Sequence, residues 1–179
     1  MLFRSSQGFT LIELLTVIAI IGILSAIVIG VGRHASETGR IARTKAELAA
    51  ISTALESYKR QYGDYPRTSD AAQLLQSLVG KLDPNLNTLT PNGRVLLDLA
   101  LFTTDVLGGD PLNNASLQLV DPWEHSYAYA YNTRANGWTN SSFVLYSMGP
   151  DGLADATLAT GGFSNRDATD NLDNIYATP

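Results

Sequence analysis

The stretch QGFTLIELLTVIAIIGILSAIVIGVGR, Gln7–Arg33, decides how the rest of the chain is read. From Phe9 to Val31 its 23 residues carry a single charge, Glu13. As a helix rising about 1.5 Å per residue this stretch spans about 35 Å, enough to cross a hydrocarbon core. A carboxylate at depth costs roughly 2.5–3.5 kcal/mol, so Glu13 needs either a nearby interface or a positive partner. A secretory signal fits less well, because its apolar region is shorter, its leader more basic and its cut at the far end. Here Arg4 is the only basic residue upstream, and the small residue, Gly8, precedes the apolar run. Hydropathy alone describes a membrane anchor over 9–32.

The helical pattern continues past the apolar run. Ile41, Leu48, Ile51, Leu55, Tyr58 and Tyr62 recur at intervals of seven, three, four, three and four, one stripe of an α-helix. Arg40, Arg43, Lys45, Glu47, Glu56, Lys59 and Arg60 fall off that stripe. No proline interrupts Phe9 to Tyr62, so one helix of 54 residues is expected. Gly63 is placed to cap it, and Pro66 forbids its continuation. Ser69 is expected to cap a second helix, whose residues Ala71, Leu74, Leu75, Leu78 and Val79 share one face up to Gly80. Over 81–116 prolines and asparagines mark turns, and VLLDLALF (95–102) fits a short helix or a buried strand equally.

From Leu117 the periodicity changes to two. Tyr127, Tyr129 and Tyr131 alternate with Ala128 and Ala130, and SFVLYSM (142–148) follows a Gly-containing loop. With Leu117–Val120 these predict one small antiparallel sheet, covered by the apolar stripe of the long helix. The tail, GPDGLADATLATGGFSNRDATDNLDNIYATP, predicts an irregular loop without a strand.

Charge and composition limit the partners. Six basic and three acidic residues lie between Arg33 and Arg60, whereas ten acidic and two basic ones lie from Asp98 onward. An acidic C-terminal half argues against nucleic acid, which needs a basic face. The chain has no cysteine, hence neither disulfides nor thiolate metal sites. Asp151, Asp155, Asp167, Asp170 and Asp173, with Asn171 and Asn174, supply the hard oxygens calcium takes, and equally the composition of solvated turns. His34 and His125 are the only histidines, read as an interfacial and a surface-loop side chain. Asp121 and Glu124, one turn apart, and the tryptophans Trp123 and Trp138 are read as structural. No Cys–His pair, nucleophile elbow or phosphate-binding glycine loop occurs, so catalysis is not expected.

GFTLIELL resembles the prepilin cleavage and methylation motif of the type IV pilin superfamily, which includes the type II secretion pseudopilins. The resemblance extends to ALESYKRQYGDYP, DPWEHSYAY, YSMGPDG and DNLDNI, which are similar to segments of the G-type major pseudopilins. It implies an α+β pilin-like fold, with a long N-terminal helix packed on a small antiparallel sheet and an irregular acidic C-terminal loop. It implies a leader over 1–8, a membrane and filament-core half-helix over 9–32, and an extracytoplasmic domain over 33–179. A prepilin peptidase would cut between Gly8 and Phe9 and methylate Phe9, and Glu13 would neutralise the amine of a neighbouring subunit. The implied partners are other copies of the chain in a helical filament, minor pseudopilins and an inner-membrane assembly platform. The chain would sit in the bacterial inner membrane with its domain in the periplasm, building a pseudopilus that pushes secreted proteins outward. Calcium would be held by Asp151, Asp170 and Asp173. The other readings are a type IV pilin or minor pilin for adhesion, motility or DNA uptake, and an anchored domain that does not polymerise. Departures from the family pattern are Glu124 and Ser126 in place of Gly and Pro, Gly30 in place of a helix-bending Pro, and a long connection over 83–116. Asp151 and Asp170 are also 19 residues apart, further than in the compact family loop.

Overall fold

The computed structural model describes residues 9–106, 109–132, 137–155 and 157–177, with the backbone but not the side chains over 27–34. Helix α1 runs Leu11–Tyr62 and α2 Ala71–Leu78, and a 3-10 turn lies at Leu99–Leu101. The strands are β1 (Thr103–Thr104), β2 (Leu119–Val120), β3 (Ala128–Ala130), β4 (Val144–Ser147) and β5 (Ile175–Tyr176), with a second 3-10 turn at Thr169–Asn171 before β5. This is the α+β, pilin-like arrangement that the periodicities and the resemblance predict.

Two compact units divide the chain, Met1–Gly39 and Arg40–Pro179. In the first, every described side chain from Phe9 to Ala26 is exposed. Among the described residues no helix is long and apolar enough to cross a membrane; part of the expected span, over 27–32, lies outside the described side chains.

The second unit has its own core. Leu48, Ile51, Leu55 and Tyr58 of α1 are fully buried with Leu74, Leu75 and Leu78 of α2, Leu117, and Tyr127 and Tyr129 around β3. Each such side chain contributes roughly 1.5–3 kcal/mol relative to exposure. Because the strand period is two, Tyr127, Tyr129 and Tyr131 all project inward, and a buried phenol needs an acceptor. Each hydroxyl finds one on α1 or its exit: Tyr127 donates to Glu47, Tyr129 to the Pro66 carbonyl at 2.9 Å, and Tyr131 to Asp64 at 2.7 Å. Burial and the Glu47 carboxylate push the Tyr127 phenol well above its ordinary range, so it stays a donor. Glu47, expected off the stripe, is therefore buried, and Arg43 pairs with it from the preceding turn at 2.7 Å. An inward tyrosine across the sheet overrides the helix pattern there.

Other local expectations need correction. The cap of α2 is Asp70, one residue later than Ser69, since its carboxylate accepts from Ala72 N at 2.8 Å and Gln73 N at 3.2 Å. The 95–102 run, which by sequence fits a short helix or a buried strand equally, forms a short 3-10 turn of three residues, Leu99–Leu101, capped by Asp98. Among the described residues there are two sheets rather than one. β2 pairs antiparallel with β1, and β3–β4–β5 form the other sheet, with a Val120–Ser126 bridge just before β3. The Asp121–His125 turn brings β2 back against the segment before β3, with Asp121 N donating to the His125 carbonyl at 2.8 Å and Tyr127 N to the Leu119 carbonyl at 3.3 Å. The tail also holds a strand: Ile175 and Tyr176 pair with Ser147 and Tyr146, satisfying backbone groups on the outer edge of β4.

Glu124 sits at φ 71°, in the left-handed region, where the pseudopilin pattern has glycine. A side chain there costs about 1 kcal/mol or more. Glu124→Gly is expected to stabilise the domain by about 0.5–1 kcal/mol, a few degrees in Tm. A lower melting temperature for that variant would show that the carboxylate contributes more than the backbone strain costs.

Candidate functional site

The start of α1 is built by Thr10 and Glu13. Thr10 N and Thr10 Oγ1 both donate to Glu13 Oε2 at 2.8 Å, and Glu13 N donates back to Thr10 Oγ1 at 3.3 Å. This reciprocal arrangement is a capping box, in which residues three apart satisfy amide donors that the first helical turn leaves open. The Thr-x-x-Glu spacing carries that signal in the sequence. Glu13 thus has a second duty besides its charge: it begins the helix immediately after Phe9. No partner for Glu13 Oε1 is present among the described residues. Phe9 is 85% exposed, and the apolar side chains that follow, Leu11 to Leu24, are likewise uncovered. Gly8 lies outside the described residues. Monomeric proteins rarely expose an apolar surface of this extent unless something else covers it.

The second cluster joins two turns to the C-terminal segment. Asp121 is 2% exposed, and its Oδ1 accepts from the backbone N–H of Trp123 and of His125, both at 3.0 Å. Its other oxygen accepts from Ser147 Oγ at 2.5 Å, and that same Oγ accepts from Gly149 N at 3.1 Å. His125 Nδ1 lies 3.1 Å from the Gly149 carbonyl. Asp173 closes over the other side: a Cβ on Gly149 would stand 2.7 Å from its carbonyl oxygen and 2.9 Å from Oδ2.

The three carboxylates expected to hold calcium are placed differently. Asp151 is exposed in the turn after Gly149 and accepts from Leu153 N at 2.8 Å. Asp173 is half-buried against Gly149, and Asp170 is exposed on the 3-10 turn. Among the described residues no three acidic or histidine side chains converge into a metal cluster. The loop is held instead by Asn171, 3% exposed, which accepts from Asp155 N and donates to the carbonyls of Asp155 and Asn165. Asn174 donates to Asn171 Oδ1 at 2.9 Å, while its own Oδ1 is buried with no hydrogen-bond partner among the described residues. Asp155 accepts from Thr157, whose hydroxyl and N–H hold its carboxyl below the usual carboxylate range. Asp121 and Glu124 do not act as a pair, since Asp121 is enclosed by its donors and Glu124 is exposed. His125, read as a surface-loop side chain, and Asn171, read as a hard-oxygen donor, have hydrogen-bond partners 24 and 16 residues away.

Comparison with known proteins supplies an independent line. The prokaryotic N-terminal methylation motif matches residues 3–29. The chain is 34% identical to the type II secretion system core protein G of Pseudomonas aeruginosa over 149 residues, 83% of this chain and 87% of that protein. It is 32% identical to the core protein G of Escherichia coli (strain K12), over 82% of this chain and 83% of that one. A fimbrial protein of Pseudomonas aeruginosa is 44% identical, but over 54 residues, 30% of this chain. No solved structure matches the chain.

Proposed function

The chain belongs to the family of the type II secretion system core protein G and is a pseudopilin subunit, and from that premise we propose how it is processed and assembled. Prepilin peptidase cuts between Gly8 and Phe9 and methylates the new amine. The apolar half of α1 spans the inner membrane with the domain in the periplasm. Subunits then leave the membrane by joining a helical filament with minor pseudopilins, on an inner-membrane assembly platform. The observation that carries this reading is Glu13, the one carboxylate of an otherwise uncharged stretch, tied to Thr10 beside Phe9. There a neighbour's amine, arriving in a medium of low dielectric, would meet it. The pilus alternative has less behind it, because the fimbrial match covers 30% of the chain and the core protein G match 83%. Mass spectrometry of the filament subunit tests the processing: the expected N-terminus is Phe9 carrying one methyl group. A retained leader, or an unmodified Phe9, would refute it.

Calcium is the second part of the proposal. Asn174 Oδ1, buried and unpartnered among the described residues, is an oxygen open to a cation, and Asn174 follows Asp173, whose carboxylate stands against Gly149. The donor chemistry suits a hard cation, with Asp151, Asp170 and Asp173 as carboxylates and Asn174 as a neutral oxygen. A bound ion would neutralise these charges and tie the loop to the Gly149 turn where apolar core is sparse. The test is a melt of the soluble domain, begun near Arg33, in calcium and in chelator. Calcium at about 100 times its dissociation constant adds about 2.7 kcal/mol, a rise on the order of 5–10 °C, absent in Asp151→Ala and Asp173→Ala. Coincident melts would remove calcium from the reading and leave the assembly proposal intact.

A further inference from the structure

We propose that His125 is a positioning residue for the calcium loop, its imidazole setting the shape of the Gly149–Gly152 turn that carries Asp151. The inference rests on the calcium reading above. It begins from the hydrogen bond between His125 Nδ1 and the Gly149 carbonyl, at 3.1 Å. A carbonyl oxygen only accepts, so Nδ1 carries the proton and donates. The ring also fills the inside of the turn: a Cβ on Gly152 would stand 2.5 Å from Nε2, 2.6 Å from Cε1 and 3.0 Å from Cδ2. Gly149 and Gly152 are both at φ 68°, where a side chain would be strained, so the turn is made to bend around the ring.

Two hydrogen bonds thereby grip Gly149 from opposite ends. Its N–H donates to Ser147 Oγ, and its carbonyl accepts from the imidazole. Both holders lead back to one buried carboxylate, since Asp121 accepts from Ser147 Oγ and from His125 N. On the far side of Gly149 lies Asp173. The separation of the Asp151 turn from Asp173 is therefore fixed by a glycine that His125 and Ser147 hold in place. Without the ring the turn must be ordered by the cation itself, and that ordering cost weakens binding. Residues that orient metal ligands without touching the ion change affinity by about 10–100-fold.

The test is a titration of the full chain in detergent micelles with calcium chloride, followed by heat of binding, alongside a melt of each variant in chelator. The expected result is that His125→Ala weakens calcium binding by about 10–100-fold. His125→Asn, whose amide puts a donor where Nδ1 stood, should recover most of that affinity. A residue that merely packs would lower the melting temperature in chelator and leave calcium affinity unchanged, and that outcome overturns the proposal. If the alanine chain does not fold, His125→Phe keeps the ring and drops the donor, and wild-type affinity there would exclude the hydrogen bond as the cause. Absence of calcium binding in the wild-type chain would remove the calcium reading itself, and this inference with it. Binding in the wild type with equal binding in His125→Ala would remove the inference alone.

Discussion

Glu13→Leu is expected to abolish filament assembly while the chain still enters the membrane. Leucine removes a carboxylate that costs roughly 2.5–3.5 kcal/mol at depth, so insertion is not impaired and becomes easier. What disappears is the partner for the incoming amine. Leaving one member of a buried ion pair alone costs about 3–5 kcal/mol, which lowers each subunit addition by about 10²–10³-fold or more. The capping box complicates the leucine result, because Glu13 also accepts from Thr10 N and Oγ1, and losing a cap costs about 0.5–2 kcal/mol. Glu13→Gln separates the two effects. Glutamine can fill the same place in a capping box but carries no charge. The readout is the yield of sheared filaments set against the amount of chain in the membrane fraction. If the glutamine chain assembles at wild-type yield and the leucine chain does not, Glu13 acts through the helix start and the charge-pairing proposal is wrong.

The largest stability loss is expected at Asp121. Its side chain is 2% exposed and satisfies three donors, the N–H groups of Trp123 and His125 and the Ser147 hydroxyl. Asp121→Ala leaves these donors buried without an acceptor, at about 3–5 kcal/mol, or on the order of 10–20 °C in Tm. Asp121→Asn keeps one acceptor oxygen for the two amides and should cost distinctly less. Ser147→Ala loses the link to Gly149 N as well and should cost about 1–3 kcal/mol. Urea denaturation in chelator measures all three without a contribution from bound cation. An alanine variant within about 1 kcal/mol of wild type would mean that water replaces the lost acceptor and that the turn is held elsewhere.

These variants also separate what each part of the sequence could convey. α1 was legible to within two residues, since its stripe repeats over six apolar positions and Gly63, at φ 87°, ends it as expected. The inward row Tyr127, Tyr129 and Tyr131 was legible for the same reason, a period sustained over five residues. The acceptors of those tyrosines were not. Glu47 looked like a solvated residue because its burial depends on Tyr127, 80 positions away. At the acidic C-terminal loop the residue types were legible, but not that Asn171 clasps the loop or that, among the described residues, Asn174 Oδ1 has no partner.

The sequence by itself determined the N-terminal methylation motif, the long helix and its end, the second helix and the alternation along β3. Each is written in spacings along a continuous segment, where one residue's neighbours follow from the helical or strand period. Only the tertiary structure decided that β2 pairs with β1, that Ile175–Tyr176 completes the sheet of β3 and β4, and that His125 grips Gly149. Strands of two residues are too short to show a period, and hydrogen bonds across 24 residues or more follow from the path of the chain. Polar side chains of the same types line every loop here, and which of them meet is set by where the core holds the turns.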